Sequence, residues 1–588
     1  MRRRGKNHDP SHGTANHGVY KRLGLHSVSF NPTMSWKDLA AAKKQAQLEK
    51  IPQEWLIKDL PTDKNVVDFP KKSGLLSDLD LEITESSVAT LLQNLASSKW
   101  SSVQVTTSFS KRAIIAHQLV NCLTEIFLDR ALARAKELDE HLARTGKVVG
   151  PLHGLPVSLK DQVNIKGIES TMGYIAWIGK PVEKSAILVD ILEESGAVLF
   201  VKTNVPQTLM WVETHNLIFG RTSNPHNRTL TSGGSSGGEG ALIALKGSPL
   251  GLGSDIGGSV RVPAGFCGIY GFRPSYHRIP YSGAANSLEG QDSVNSVFGP
   301  LSQSLDGLTT VVKTVLGKQP WLRDAHVIRK QWSEEEYALS DHGGKGGKLC
   351  FAIMWDDGIT KPDPPIRRGL ELTKKALLAA GHEVIDWKPY KQAEIGLNTF
   401  AIWSAGSGDD YRSVTQLSGE PLIGSMAPDA TGNEVRPVFG KPLSAYELWQ
   451  VQKKKRDLRQ EYLNHWSATV AQTSTGRPVD AVITPVAPYA SAPHGLNRNL
   501  FYTVWCNALD YPSVIIPTGA KVDPVLDVKQ PRTEFFSPMP FDKDIYERYT
   551  PELYEDAPIP IQVVGRTMED EAVLAMSKVV DDALRSNL

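Results

Sequence analysis

The 588-residue chain carries 65 Lys and Arg against 64 Asp and Glu, with 40% apolar and 22% charged residues. This is an ordinary globular composition with no bulk field for nucleic acid or an anionic membrane surface. Four cysteines (Cys122, Cys267, Cys350, Cys506), none in a C-x-x-C pair, exclude a disulfide framework and a cysteine-based zinc site. No run approaches the roughly 18 to 20 apolar residues that span a bilayer, and the amino terminus lacks the apolar core of a secretory signal, so a cytoplasmic location is expected.

Residues 1–33 hold six Lys or Arg against one Asp, Asp9, and read as a basic, disordered tail. An Arg-rich, acid-poor start also suits a mitochondrial address, against which stand Pro10, several glycines and little amphipathic period. His8, His12, His17 and His26 have no metal-binding spacing worth more than a polar tail, and Met34 is a candidate start site. Residues 34–146 are predicted as a helical region packing on the core. Trp36, Leu39 and Ala40 mark a helix stopped by Pro52; Ser86 and Ser87 cap a second with Val88, Leu91, Leu92 and Leu95 on one face. A third is predicted over Glu125 to Arg144, ending at Gly146. From 147 to 588 short apolar runs alternate with helices. Strands are predicted at Leu155–Leu159, Ala197–Val201, Leu349–Trp355, Ala481–Thr484 and Val514–Pro517. Helices are predicted at Ala186–Leu192, Ile366–Ala380, Ala445–Asn464 and Met568–Leu584. The fold class is α/β: one large α/β/α sandwich with a central mixed β-sheet flanked by helices, 34–588 forming one domain. Gly343–Gly347 (GGKGG) misses the phosphate-loop spacing and is read as a loop.

The densest chemical signal is TSGGSSGGEGALIAL (Thr231–Leu245) followed by GLGSDIGGSVRVPAG (Gly251–Gly265). Glycines ahead of a helix-forming run let backbone N–H groups approach a bound anion or oxyanion. In the second segment Asp255, Ile256, Gly257 and Gly258 lead into Ser259, so an amide nest precedes a hydroxyl. Acyl transfer needs that arrangement, because charge develops on the carbonyl oxygen about 3 Å from the attacking atom. Among 15 histidines none is picked out as a base, whereas Lys160 ends the apolar run LPVSL. A buried amine can lose its charge near neutral pH.

These segments closely resemble the amidase signature family, and within it the general amidases and acetamidases of fungi. The match runs from about Trp36 to Leu588 through GLPVSLKD, KTNVPQTLM, SNPHN and NALDYPSVIIPTG. The resemblance implies an amidase, a hydrolase of linear amide C–N bonds working through an acyl-enzyme, with Lys160 as base, Ser235 in a cis peptide as relay and Ser259 as nucleophile. It further implies oxyanion donors at the amides of Ile256, Gly257, Gly258 and Ser259, and a substrate-lining position at Leu209. It implies no cofactor and no metal. The expected partner is a small-molecule amide, with a homodimer left open. Asp255 and Arg261 are expected to form an ion pair holding the nucleophile loop. Cys267 is expected to pack rather than react. Trp403, Phe501, Tyr502 and Trp505 are candidates for pocket walls, with core packing as the alternative for each.

Three other readings compete. Gly233–Gly237 satisfies G-x-S-x-G, which would make Ser235 the nucleophile of an α/β-hydrolase-type esterase, but requires an apolar strand before it, where the chain has the polar NPHNRTLTS. An amidotransferase A-type subunit would pass ammonia to a partner. A catalytically silent scaffold would leave Lys160, Ser235 and Ser259 without a role.

Overall fold

The computed structural model describes residues 34–428, 441–534, 536–539 and 541–586, so the tail at 1–33, with its histidines, lies outside the described residues. Eleven strands make one central sheet: β1 (Leu123–Ile126), β2 (Pro156–Lys160), β3 (Val198–Thr203), β4 (Leu250–Asp255), β5 (Tyr270–Arg273), β6 (Val297–Ser302), β7 (Cys350–Ile353), β8 (Glu383–Asp386), β9 (Ala481–Thr484), β10 (Ser513–Lys521) and β11 (Pro558–Val564). Their order is β1-β3-β2-β4-β6-β5-β10-β11-β9-β7-β8. The pairs β3/β2, β2/β4, β9/β7 and β7/β8 are parallel. The other six neighbouring pairs are antiparallel, so the sheet is mixed, as predicted. Helices cover it, and one large apolar cluster runs from Ile51 to Leu584.

Local sequence explains the first helices. Ser35 and Asp38 form a reciprocal capping box on Trp36–Leu48, and the Ser87 hydroxyl accepts the Thr90 amide ahead of Val88–Ala96. Gly146, at φ +65°, ends Leu128–Thr145 in the left-handed conformation that glycine tolerates. That helix begins three residues later than predicted. Glu125 belongs to β1, where its carboxylate meets Lys43 at 2.5 Å, so the region predicted as helical also supplies an edge of the sheet. The helix Ser102–Val120 escaped prediction because 14 of its 19 residues are buried, leaving no polar face for a 3.6-residue period to reveal.

The site is positioned by β2 and β4. Their parallel register, Val157 opposite Leu250 and Leu159 opposite Leu252, carries Lys160 and Asp255 to the same, carboxyl-terminal edge. The glycine-rich segment Ser232–Ser236 crosses that edge before the buried helix Gly237–Ala244.

Candidate active site

Lys160 is fully buried at the end of β2. Its Nζ lies 2.7 Å from Ser235 Oγ, 2.8 Å from Ser254 Oγ and 3.5 Å from the Ser254 carbonyl oxygen. Loss of water brings this amine down from 10.5 to about 7, against the pull of the Asp255 and Glu239 carboxylates. A substantial neutral fraction at physiological pH follows. The peptide between Gly234 and Ser235 is cis, and Ser235 is 2% exposed.

Ser259 follows β4 and sits at the floor of an apolar cavity of about 270 Å³. Leu209, Val212, Phe400, Trp403, Tyr411 and Leu500 form walls, and Ile256 and Gly257 share the floor. The Ser259 carbonyl accepts the Ser236 amide at 3.1 Å, which ties the two serine segments together. Among the described residues, the Ser259 hydroxyl makes no hydrogen bond to Ser235 or to any other group. Thus Lys160 and Ser235 are joined directly, while Ser259 stands on the loop fastened to theirs.

Asp255 organises that loop. Its carboxylate accepts the Gly258 amide at 2.8 Å, the Val260 amide at 3.1 Å, Asn507 Nδ2 at 2.9 Å, and Arg261 Nε and Nη2 at 3.0 and 2.9 Å. The expected ion pair is therefore present, both side chains having no exposed surface. Arg261 holds the Asp255 carboxyl far below the ordinary carboxylate range despite its burial. Arg261 spends its other donors on Thr503 O at 3.0 Å, Gln562 Oε1 at 2.8 Å and Asn507 Oδ1 at 2.6 Å.

One expected oxyanion donor is corrected by this geometry. The Gly258 amide is committed to Asp255, and Gly258 does not line the cavity. Among the described residues the amides of Ile256, Gly257 and Ser259 have no internal acceptor, and these three residues do line it. Leu209 and Trp403 are both on the wall. Phe501 stands behind the wall, edge-on to Phe400 at 5.6 Å. Tyr502 and Trp505 belong to the core: the Tyr502 hydroxyl donates to the Thr360 carbonyl, and Trp505 packs against Tyr462 at 5.4 Å. Cys267 is buried in an apolar cluster, and burial pushes its thiol well above its usual value, so it packs as expected.

Several groups were not anticipated. Glu239, inside GGEG, accepts from Ser158 Oγ at 2.6 Å and Thr203 Oγ1 at 2.9 Å, and burial pushes it up to about 7. Ser254 stands beside Lys160, and Gln162 beside Ser254. Their only sequence signal is proximity to GLPVSLKD and DIGGS, which does not distinguish them from their neighbours. The esterase elbow is not formed. The strand before Ser235, Asn227–Thr231, lies outside the central sheet, pairing with Ser223–Asn224 and meeting Pro493 through a single bridge at Leu230. Among the described residues, no three His, Cys, Asp or Glu side chains converge into a metal-holding group, and no helix is long and apolar enough to cross a membrane.

Comparisons with known proteins place the chain in a family. The Amidase family model matches residues 104–574. The chain is 44% identical over 552 residues to an acetamidase of Emericella nidulans, covering 94% of this chain and 98% of that one. It is 43% identical over 555 residues to an acetamidase of Aspergillus oryzae, covering 94% and 99%. Among solved structures, a fatty acid amide hydrolase superposes with a TM-score of 0.86 at 32% identity, covering 94% of this chain and 95% of that one. With the motifs, the eleven-stranded sheet and these relatives in agreement, the chain belongs to the amidase signature family and is an amide hydrolase.

Proposed function

We propose that the protein hydrolyses amides of small, apolar carboxylic acids to carboxylate and ammonia or amine, with Ser259 as nucleophile, Ser235 as relay and Lys160 as base. The observation that carries this reading is the buried amine of Lys160, 2.7 Å from Ser235 Oγ, on an edge shared with the loop that holds Ser259 against the apolar cavity. With a substrate bound, Ser259 Oγ bonds to the amide carbon while its proton passes to Ser235, and the Ser235 proton passes to Lys160, which becomes an ammonium. Catalytic hydrogen bonds often tighten only in the substrate complex, which is how the open Ser235 to Ser259 step is read. Negative charge on the carbonyl oxygen is met by the amides of Ile256, Gly257 and Ser259. The same relay in reverse protonates the departing nitrogen as the C–N bond breaks. Water then adds to the acyl-enzyme by the forward relay, and acid leaves.

A cavity of about 270 Å³ suits a short alkyl or single-ring acyl group rather than a long chain, in keeping with relatives named acetamidase. The test is a hydrolysis panel running from acetamide through aromatic to long-chain amides, with wild type and Ser259→Ala and no second protein added. Acetamide and aromatic amides are expected to release ammonia, and the variant to release none. Near-normal turnover by Ser259→Ala, or ammonia release only with a partner subunit, would overturn the reading.

A further inference from the structure

Lys160 meets three oxygens, and the partners of those oxygens settle which way each hydrogen points. Gln162, fully buried two residues beyond Lys160, donates Nε2 to the Ala285 carbonyl at 3.0 Å and to Tyr281 Oη at 3.0 Å. A carbonyl can only accept, so the amide orientation is fixed and Oε1 faces Ser254. Oε1 can only accept in turn, so the single hydroxyl proton of Ser254 is donated to it. Ser254 Oγ and the Ser254 carbonyl are then both acceptors towards Nζ, at 2.8 and 3.5 Å.

A neutral lysine amine has two N–H bonds and one lone pair. With both N–H bonds directed at Ser254, the lone pair is left for Ser235 Oγ at 2.7 Å. From this geometry we infer that Ser254, locked by Gln162, is a positioning residue that aims the lone pair of Lys160 at the Ser235 hydroxyl. The cage also suits the other protonation state. When Ser235 gives up its proton, the new third N–H points back at the same oxygen, so the proton returns along the line it left by and no side chain turns between the half-reactions. An amine free to rotate would divide its lone pair among the three directions and would be competent for only part of the time.

The inference rests on Lys160 being the base, and the experiment separates the two. The probe is a fluorophosphonate, whose reaction with Ser259 needs the base but no amide. Its labelling rate is followed from pH 5 to 9 in wild type, Ser254→Ala, Ser254→Thr, Gln162→Met and Lys160→Ala, with the thermal midpoint of each. Ser254→Ala and Gln162→Met are expected to label about tenfold to a hundredfold more slowly at saturating probe, as befits loss of a hydrogen bond to a charged group. The half-saturating probe concentration is expected to stay put. In Ser254→Ala the acid limb of the profile is also expected to move to lower pH, because an acceptor favouring the ammonium is gone. Ser254→Thr, which keeps the hydroxyl, is expected to come back to within about threefold of wild type. If Ser254→Ala does not fold, Gln162→Met decides. Labelling by the folded variants within threefold of wild type with an unmoved limb, or equal slowing by Ser254→Ala and Ser254→Thr, overturns the inference. Wild-type labelling by Lys160→Ala overturns the base assignment instead.

Discussion

Replacing Lys160 by Met exchanges a buried amine for a side chain of similar length that has no charge to desolvate. In the unfolded chain the lysine keeps its proton up to about pH 10.5, and in the folded one it releases it near 7. Between those values the unfolded state holds one more proton, so the wild type gains stability as pH rises, by about 1.4 kcal/mol per unit. Below about pH 7 both states are protonated and the gain stops. The whole shift of about 3.5 units costs the folded wild type about 5 kcal/mol at low pH. Against this, the methionine leaves Ser235 and Ser254 each short of a partner, at about 1–3 kcal/mol apiece. The variant is therefore expected to be up to about 3 kcal/mol more stable than wild type at pH 7 and to lose that advantage in alkali.

The assay is the difference in urea unfolding between the two proteins at pH 6, 7.5 and 9, a difference in which the other titrating groups largely cancel. From pH 7.5 to 9 the wild type should gain about 2 kcal/mol on the variant. Turnover should fall by about 10² to 10⁴ in the variant, the range for a lost general base. In the wild type kcat/KM should lose about tenfold per unit below pH 7, as the amine takes up its proton. Parallel stability curves from pH 7.5 to 9, or an acid limb well below pH 6, would refute the neutral-lysine reasoning.

Other substitutions probe the loop and the cavity. Gly258→Ala places a Cβ at φ +130° and 2.5 Å from Thr503 Oγ1, so Ser259 labelling by a fluorophosphonate should slow at least about tenfold, strain of about 1–3 kcal/mol being imposed on the nest. Asp255→Asn leaves the fully buried Arg261 without its carboxylate; a loss of about 3–5 kcal/mol is expected in chemical denaturation, and a loss under 1 kcal/mol would show the pair to be dispensable. Trp403→Ala removes a wall of the acyl cavity, so kcat/KM for a hexanoyl amide should rise relative to acetamide by about fourfold for each methylene newly accommodated. Unchanged chain-length preference would place the acyl group elsewhere.

The chemistry was more legible than the sheet that holds it. Lys160 ends an apolar run, and Ser235 and Ser259 lie in glycine-rich segments whose physical purpose can be read locally. Strands such as β3, VLFVKT, and β9, AVIT, announce themselves by their branched side chains. By contrast β4, LGLGSD, reads as a loop because its glycines are dictated by distant neighbours. A Cβ on Gly251 would stand 1.9 Å from Glu239 Oε2, and one on Gly253 2.7 Å from Ser236 Oγ. In β6, VFGPLS, Gly299 lies under the Phe272 carbonyl, 2.0 Å from where a Cβ would be. In β11, PIPIQVV, prolines mask a strand that is buried throughout. The cavity walls from Phe400, Trp403 and Tyr411 come from helices more than 140 residues beyond Ser259, and no local pattern ties them to it. The fate of the Gly258 amide was equally hidden, because it depends on where the Asp255 side chain turns.

That turn also bears on why the lysine can be neutral at all. An ionised Asp255 near Lys160 favours the ammonium, yet its charge is already matched by two Arg261 donors and by the Gly258, Val260 and Asn507 donors. Glu239, the second nearby carboxyl, is pushed by burial up to about 7 and is held by hydroxyls rather than by a cation. Neither carboxyl therefore presents Lys160 with a full unmatched charge at neutral pH, and desolvation prevails. Exchanging Glu239 for Gln would remove what remains of that opposing field, and because a negative neighbour raises a lysine, the acid limb of kcat/KM should then slide to lower pH. A limb that moved upward instead would refute the view that the Glu239 carboxyl opposes the release of the proton from Lys160.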